Sequence, residues 1–393
     1  MGKVGDYFER LASKVAVRKD FPKWVGELYL EYHRGTYTSM ARNKRYNRKS
    51  ELLYQDVELF AIFGMLLGME YPQNAINRGW ELILLNQFHD ILPGSSIKEV
   101  YEESKDQYEQ VLTEGWRIIT SSLSAITANI HLERPAVVVF NSLSFDRDEL
   151  SVITLPANYD CKSVIDDSGR KLPVQTVTEN GQSRALFLAA QVPAKGYCTY
   201  SLSVDSVGIA NQLQISSTLL ENRFFRMIID DKGTFSSLYD KINQRELLPP
   251  GQRGNQLQAF EDKPAEFDNW NIDPYYQEKM WELDTVEEVT VIEQGPVRGG
   301  ISIRKKFLDS VVTQQIYIYN DLPRIDFDTH VDWKENQVLL KAAFPLDIHA
   351  DKATYEIQFG NVERSTHRNT SWDIAQFEVS AHKWADLSET GYG

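Results

Sequence analysis

Residues 133–140, Glu-Arg-Pro-Ala-Val-Val-Val-Phe, mark the point at which the hydrophobic pattern of the chain changes period. Before them, apolar residues recur at intervals of three and four, most clearly between residues 53 and 67, which is typical of helices. After them, short apolar runs are separated by Gly, Pro and Asn, which is typical of strands. The sequence therefore predicts a helical part followed by a strand-rich part.

The helical part contains three predicted helices, which indicates a small bundle. The first has its apolar residues on one face and is expected to end near Gly68. The second begins around Asn74. The third follows a capping box formed by Ser96 and Glu99 and ends before Pro135.

The strand-rich part is predicted to form antiparallel sheets, because no helix of useful length separates its strands. The clearest predicted strands are residues 136–140, 150–155, 185–188, 197–202, 224–229, 300–303, 315–319 and 338–344. The predicted fold class is therefore multidomain α+β, with a three-helix bundle followed by antiparallel β-sandwich domains.

Composition excludes several classes of partner. The 393 residues carry a net charge of −14, which disfavours a general electrostatic grip on nucleic acid or on an anionic membrane. No uncharged apolar run of about 18 residues is present, so we expect no membrane span. The two cysteines, Cys161 and Cys198, fit a reducing compartment, which predicts a cytoplasmic protein. A monomer and a homo-oligomer are both compatible with this sequence.

His89 and Asp90 form a titratable pair at the expected end of the second helix, just before Pro93 and Gly94. A neutral imidazole is a common zinc ligand, and an adjacent carboxylate can accept hydrogen bonds from substrate hydroxyls. The alternative is a core histidine bonded to a backbone carbonyl, with an aspartate that caps the turn. No second ligand lies at the required spacing on this helix, so a metal would need donors from elsewhere.

Three other segments contain residues that could carry chemistry. Residues 31–49 are rich in Arg and Lys, and we interpret them as a solvated loop whose arginines pair with carboxylates. Residues 260–276 combine aromatic and acidic side chains, as sugar sites do, although a loop packed on a sandwich is an equal alternative. His330 and Asp332 alternate along a predicted strand, which favours an exposed polar face over a metal pair.

Four separated stretches resemble the α-mannosidases of glycoside hydrolase family 38, of the bacterial and vacuolar kind. They occur in the family's order and together span nearly the whole chain. The stretches are ELYLEYHRGTYTS (residues 27–39), NQFHDILPGS (86–95), ERSTHRNTSW (363–372) and AHKWADLSE (381–389).

The resemblance implies a zinc-dependent, retaining exo-α-mannosidase that acts on mannose-containing oligosaccharides. It assigns His89 as a Zn²⁺ ligand and Asp90 as a contact to sugar hydroxyls. The nucleophile, the general acid and the other zinc ligands belong to an N-terminal barrel that has no counterpart here, so the 393 residues alone are expected to be inactive. Four further residues are expected by similarity to line the site: His33, Arg34, Asp262 and Trp270.

The resemblance also predicts the domain organisation. We expect the end of the barrel domain at residues 1–24, the middle helical bundle at 25–134, a small β-sandwich at 135–208, and a large sandwich, truncated and of the galactose-mutarotase type, at 209–393. A noncatalytic carbohydrate-binding or scaffold protein built from a bundle and sandwiches is the alternative. The linkage preference and the physiological substrate stay open.

Overall fold

The computed structural model describes residues 2–155, 159–179, 181–208 and 211–393. The chain divides into two compact units, one formed by His33–His349 and the other by Met1–Tyr32 with Ala350–Gly393. Among the described residues, no helix combines the length and the apolar character needed to cross a membrane. The α-helices are α1 (Val4–Val15), α2 (Ala41–Leu66), α3 (Gln73–Asn86), α4 (Lys98–Thr127) and α5 (Ser371–Ala375).

Helices α2, α3 and α4 form the predicted bundle. The helical spacing predicted from residue 53 onward places Leu53, Val57 and Ala61 in its core, where each is at most 6% exposed. Leu67, the last residue of that pattern, follows the end of α2 and is 46% exposed. The core is completed mainly from α3 and α4, by Ile76, Leu82, Ile83, Val111, Ile118 and Ile119 together with Tyr54 of α2.

Two local predictions for the helical part are wrong. Helix α4 begins at Lys98 with Ile97 as its N-cap and has no side-chain cap, because the Ser96 hydroxyl donates to the carbonyl of Asp90 instead. The basic segment is not a loop throughout, since α2 starts at Ala41. The first difference arises because the Ser96 hydroxyl bonds a carbonyl six residues earlier and not the backbone of α4.

Seven strands, β1 to β7, form the small sandwich that follows the bundle. One sheet has the order β1-β7-β3-β4, the other has the order β2-β6-β5, and neighbouring strands are antiparallel. The core between them contains Phe187, Val164 and Tyr200, each at most 1% exposed. The strands are β1 (Ala136–Phe140), β2 (Arg147–Thr154), β3 (Ser163–Ile165), β4 (Lys171–Pro173), β5 (Gln175–Glu179), β6 (Gln182–Val192) and β7 (Tyr197–Ser203).

The next twelve strands, β8 to β19, form the large sandwich. A sheet of order β12-β11-β10-β9-β8 shares a core with a sheet of order β15-β16-β17-β18, and Met227, Ile301 and Ile316 in that core are fully buried. A third sheet has the order β14-β13-β19. The strands are β8 (Gln214–Ser216), β9 (Leu219–Glu221), β10 (Phe225–Ile229), β11 (Phe235–Asp240), β12 (Arg245–Glu246), β13 (Gln256–Glu261), β14 (Met280–Glu282), β15 (Val286–Gln294), β16 (Arg298–Phe307), β17 (Ser310–Tyr319), β18 (Ile325–Asp332) and β19 (Val338–Ala343).

The second compact unit combines residues from both ends of the chain. Its sheet has the order β21-β20-β22, with strands β20 (Lys352–Ile357), β21 (Gly360–Ser365) and β22 (Ala385–Asp386). Arg364 of β21 forms a two-pronged ion pair with Glu27, with nitrogen–oxygen distances of 2.7 and 2.8 Å. The Arg364 side chain is only 4% exposed and that of Glu27 is 32% exposed, so this charge-assisted pair has a buried guanidinium and a carboxylate at the surface.

These elements confirm the predicted fold class, a helical bundle followed by antiparallel sandwiches. All eight of the strands predicted most clearly overlap strands of the structure, and the prediction of residues 136–140 matches β1 at both ends. The predicted domain boundaries stay predictions. Residues 209 and 210, where the large sandwich was expected to start, lie outside the described residues.

Gly79 of α3 allows the closest contact within the bundle. A Cβ atom there would lie 2.0 Å from the Tyr54 hydroxyl and 2.1 Å from two carbons of its ring. Tyr54 is fully buried, so its rigid ring cannot move aside. We expect Gly79→Ala to lower the free energy of unfolding by more than about 2 kcal/mol through overpacking. Urea denaturation followed by circular dichroism measures this change.

Gly5→Ala is the matched control for this substitution. Gly5 lies in α1, and a Cβ atom there would have no neighbour within 4 Å. This variant should keep or slightly raise stability, because Ala has the higher helix propensity. An equally small effect at Gly79 would contradict the packing described for the bundle.

Lys305 of β16 is a charged side chain in the large sandwich without a direct partner. It is 1% exposed, and its Nζ makes no hydrogen bond to any described residue. Burial lowers the pKa of this ammonium group to about 8, although Asp230 opposes the shift. A shift from 10.5 corresponds to about 3 kcal/mol at roughly 1.4 kcal/mol per pKa unit.

Replacing Lys305 by Met should stabilise the protein at pH 7 by up to about 3 kcal/mol. Between the folded pKa of about 8 and the unfolded pKa of 10.5, the unfolded chain binds the extra proton, so wild-type stability rises with pH. The advantage of Lys305→Met should therefore shrink between pH 8 and pH 10. Urea midpoints at pH 7 and 9.5 test this, with the exposed neighbour Lys306→Met as control. Equal gains at both pH values would contradict it.

Candidate functional site

His89 and Asp90 lie in a turn, residues 87–97, between the end of α3 and the start of α4. Their side chains are 75% and 51% exposed, and His89 Nε2 lies 3.5 Å from the nearer Asp90 carboxylate oxygen. The imidazole contacts the Phe88 ring, with 4.2 Å between ring centroids. The exposure rules out the alternative of a buried core histidine, so both side chains are accessible to a ligand.

Hydrogen bonds from its own sequence neighbourhood fix the backbone of this turn. The Tyr101 hydroxyl of α4 donates to the carbonyl of Ile91 at 3.1 Å and accepts from the backbone N–H of Ser96 at the same distance. The Ser96 hydroxyl bonds the carbonyl of Asp90. The Asp90 carbonyl is therefore hydrogen-bonded by a side chain of the same turn.

Lys44 of α2 joins this turn to a segment more than forty residues earlier. Its ammonium group donates to the carbonyls of Leu92 at 2.8 Å and Pro93 at 3.1 Å, and also to that of Ser39. Burial lowers the Lys44 pKa to about 8. A cation that satisfies three backbone carbonyls replaces the water that they would otherwise bind, and it fixes their spacing.

Gly94 and Asn269 bring the large sandwich to the same turn. Gly94 has φ +99°, and a Cβ atom on it would lie 2.7 Å from both Cβ and the carbonyl oxygen of Ser39. Its carbonyl accepts a hydrogen bond of 2.9 Å from the Asn269 side chain. Asn269 belongs to the aromatic and acidic loop of residues 260–276, so that loop contacts the His89 turn through backbone and amide groups.

The segment 33–39 contacts this loop as well. The N–H of Gly35 donates to the carbonyl of Trp270 at 2.9 Å, and that of His33 donates to the side chain of Asn271 at 3.0 Å. The His33 and Trp270 rings lie 4.7 Å apart. A short 3-10 helix, Arg34–Tyr37, starts here, and Arg34 at its first position is buried. Segments 33–39, 87–97 and 260–276 therefore meet; we call them the three-segment site.

Asp262 contributes an unusual carboxylate to the three-segment site. Burial raises its pKa to about 6, with further contributions from Asp268 and Asp273. Its Oδ1 is buried and makes no hydrogen bond to any described residue. A buried acceptor without a donor is costly, so this environment favours the protonated carboxyl or a donor supplied from outside the described residues.

The described residues do not form a complete metal site by themselves. Among the residues that the structure describes, no group of three His, Cys, Asp or Glu side chains could hold a metal ion. His89 offers an exposed imidazole, and Asp90 offers a carboxylate beside it. This arrangement fits a zinc ion that takes one ligand from His89 and its remaining ligands from other polypeptide.

The structure tests where the residues singled out from the sequence lie, and their roles stay predictions. It brings together the three segments that contain His33, Asp90 and Trp270. Arg34 is 7% exposed and so does not belong to a solvated loop, whereas His330 and Asp332 are exposed on β18 as expected. Sequence reasoning missed three residues that hold the segments in place, namely Lys44, Gly94 and Asn269. Of these, only Gly94 carried a signal, the Pro93-Gly94 turn.

Two domain families match the chain. The alpha mannosidase middle domain matches residues 31–126, and the C-terminal domain of glycosyl hydrolases family 38 matches residues 220–393. Together the two matches cover the bundle and most of the large sandwich, including all three segments of the site.

Individual relatives agree with these domain matches. The chain is 33% identical to alpha-mannosidase 2C1 of Homo sapiens over 94% of its length, 34% identical to alpha-mannosidase G of Dictyostelium discoideum over 96%, and 30% identical to an alpha-mannosidase of Saccharomyces cerevisiae over 99%. It covers 34%, 37% and 33% of those proteins respectively, so it spans about a third of their length.

A solved structure shares the fold. An alpha-mannosidase from Enterococcus faecalis V583 superposes with a TM-score of 0.74 at 14% identity, covering 95% of this chain and 50% of that one. At that identity the likeness concerns the fold alone. The domain matches and the relatives together show that the chain belongs to glycoside hydrolase family 38, of which it contains the α-mannosidase middle domain and the C-terminal domain.

Proposed function

We propose that this chain is the non-barrel part of a zinc-dependent, retaining exo-α-mannosidase that removes terminal α-linked mannose from oligosaccharides in the cytoplasm. The observation that carries the proposal is that segments 33–39 and 260–276 meet, through their contacts at Gly94, the turn that contains His89 and Asp90. The relatives are α-mannosidases, which supports mannose as the sugar. We further propose that the nucleophile, the general acid and the other zinc ligands lie outside these 393 residues.

The residues of this chain would bind and orient the sugar. In the proposal, His89 holds the zinc ion through its exposed imidazole, and Asp90 accepts hydrogen bonds from neighbouring hydroxyls of the terminal mannose. Trp270 covers a C–H face of the ring, as aromatic side chains do in sugar sites. When bound, zinc would polarise and orient the mannose hydroxyls. The two carboxyl groups of a retaining mechanism, about 5 Å apart, would come from the remaining polypeptide.

The alternative function, noncatalytic carbohydrate binding or scaffolding, would need only the sugar contacts. It predicts that even the full-length protein binds mannosides without turning them over. The enzyme is favoured because His89 presents an exposed imidazole, a type of metal ligand, beside the Asp90 carboxylate. Noncatalytic sugar binding would need no metal ligand at this place.

His89→Ala in the full-length protein should remove zinc and abolish most activity. Loss of a hydrogen-bond partner of a metal ligand typically lowers metal affinity or activity by roughly 10- to 100-fold. Loss of the ligand itself should lower both by at least as much. We expect zinc content after dialysis to fall well below one per chain and kcat/KM for an aryl α-mannoside to fall at least about 100-fold. Elemental analysis and steady-state kinetics measure the two quantities.

The control for this substitution is His330→Ala. His330 is also an exposed histidine, but it lies on β18 and belongs to none of the three segments, so zinc and activity should stay at wild-type values. Zinc retained at full occupancy by His89→Ala would refute the ligand assignment. Zinc-dependent turnover by the 393 residues alone would refute the placement of the catalytic groups.

Asp262→Asn should stabilise the protein and weaken substrate binding. The folded pKa of about 6 exceeds the unfolded value of 3.8, so wild-type Asp262 favours folding fully below pH 3.8, and this contribution is lost as pH rises through 6. At pH 7 we expect Asp262→Asn to be about 1 kcal/mol more stable, a value reduced for the partial exposure of the group. KM for the mannoside should rise about tenfold.

Urea denaturation of wild type and variant at pH 4 and pH 7 gives the stability change, and steady-state kinetics of the full-length protein gives KM. Glu266→Gln, an exposed acid-to-amide change in the same loop, should alter neither quantity. A stabilised Asp262→Asn variant with unchanged KM would show that Asp262 does not contact the substrate.

A further inference from the structure

A second polar cleft lies between the small and the large sandwich. Its volume is about 930 Å³, near the upper end of the roughly 300–1,000 Å³ found for ligand pockets. One wall is strand β5, and the other consists of the end of β15 with residues of β16, β17 and β18. The cleft shares no residue with the three-segment site.

Gln175 of β5 connects the two walls. Its amide oxygen accepts from the backbone N–H groups of Val297 at 2.9 Å and Arg298 at 2.8 Å, and its amide nitrogen donates to Glu293 at 2.8 Å. Gln175 is 5% exposed, so these bonds are shielded from water. Because one buried side chain makes three bonds across the gap, the width of the cleft is fixed before any ligand arrives.

Arg298 and Glu293 form the charged floor of the cleft. They are joined by two hydrogen bonds, of 2.9 and 2.5 Å, and both side chains are 10% exposed. The guanidinium lies 4.0 Å from the centroid of the Tyr317 ring. The pairing of β15 with β16 shifts in register between Val291 and Glu293, as in a β-bulge. Glu293 lies beside Arg298 at this shift. No described residue accepts a hydrogen bond from Arg298 Nη1, so the two N–H groups of this nitrogen are available to a ligand.

The rim of the cleft contains further hydrogen-bond donors and acceptors side by side. Gln315 uses its amide oxygen for the Tyr317 hydroxyl at 2.9 Å, and its amide nitrogen has no acceptor among the described residues. Asp328, its cross-strand neighbour, is exposed and receives no hydrogen bond from the described residues. Glu179 lies on the opposite wall, and its nearest cation is Arg298 at 3.7 Å.

Three classes of ligand do not suit this arrangement. An anion would meet Glu179, Glu293 and Asp328 with only one guanidinium in the lining. A metal ion is disfavoured, because the described residues include no group of three donors near enough to share one ion. A largely apolar ligand would leave most of the polar lining without partners, at a cost for each buried group.

We propose that this cleft binds one or two residues of a neutral glycan. The identification of this glycan as an α-linked mannose chain rests on the proposed mannosidase function. Each sugar hydroxyl both donates and accepts, so it can bond the carboxylates of Asp328 and Glu179 as well as the free N–H groups of Arg298 and Gln315. The cleft then holds a part of the oligosaccharide other than the mannose bound at Asp90.

Calorimetric titration of the 393-residue chain with an α-linked mannotriose tests the proposal. We expect binding in wild type and a loss of affinity of at least about fivefold in Gln315→Ala and in Asp328→Ala. The matched controls are Thr313→Ala and Asp332→Ala, which lie on the same two strands and outside the lining, and which should bind as wild type does. Circular dichroism confirms that all four variants fold.

Absence of binding, or equal losses in the controls, would overturn the proposal. A loss of affinity in Asp90→Ala without any loss in Asp328→Ala would also overturn it, because the trisaccharide would then occupy the three-segment site. The assay measures no turnover, so its failure is separate from a failure of the proposed enzymatic function, which is measured on the full-length protein.

Discussion

The arrangement of the three-segment site depends on one missing side chain, that of Gly94. Ser39 occupies the space that a Cβ at this position would need, and the left-handed backbone there turns the Gly94 carbonyl towards Asn269. Lys44 then ties the carbonyls on either side of the contact together. A larger residue at position 94 would push the turn of residues 87–97 away from Ser39. The relative placement of the three segments thus follows from a backbone contact.

Two side chains of the same unit, Lys305 and Asp262, combine a buried polar atom that has no hydrogen bond to any described residue with a pKa shifted against the charged form. Lys305 Nζ and Asp262 Oδ1 are both buried without a hydrogen-bond partner among the described residues. They differ in position, because Lys305 lies in the interior of the large sandwich, whereas Asp262 lies in the loop that reaches the His89 turn. Asp262 therefore belongs to the three-segment site, and Lys305 does not. A destabilising carboxylate at such a place is consistent with a role in binding.

Much of the fold could be predicted from the sequence, because hydrophobic period is a local property. The spacing of Leu53, Val57 and Ala61 predicted α2, and the apolar run from Ala136 to Phe140 predicted β1. The capping box at Ser96 was wrong because its hydroxyl bonds a carbonyl six residues earlier, which a pattern of i and i+3 residues does not consider. Local patterns predict elements well and the uses of individual polar atoms poorly.

The candidate site was only partly predictable for the same reason. His89 and Asp90 stood out as a titratable pair before the Pro93-Gly94 turn, but their roles came from the resemblance, since a single histidine at a helix end has no distinctive spacing. The role of Lys44 depends on carbonyls 48 and 49 residues away, and no pattern in the sequence indicates that proximity. The exposure of His89 likewise depends on the path of the turn after α3, which is held by Tyr101, Lys44 and Asn269.

The ion pair between Glu27 and Arg364 has a consequence for synthesis of the protein on the ribosome. Its two residues are 337 positions apart, so the first of them leaves the exit tunnel long before its partner has been translated. The larger unit, His33–His349, is continuous and can fold as it emerges, whereas the other must wait for the last strands. During that interval the segment that contains Glu27 lacks its native partner Arg364.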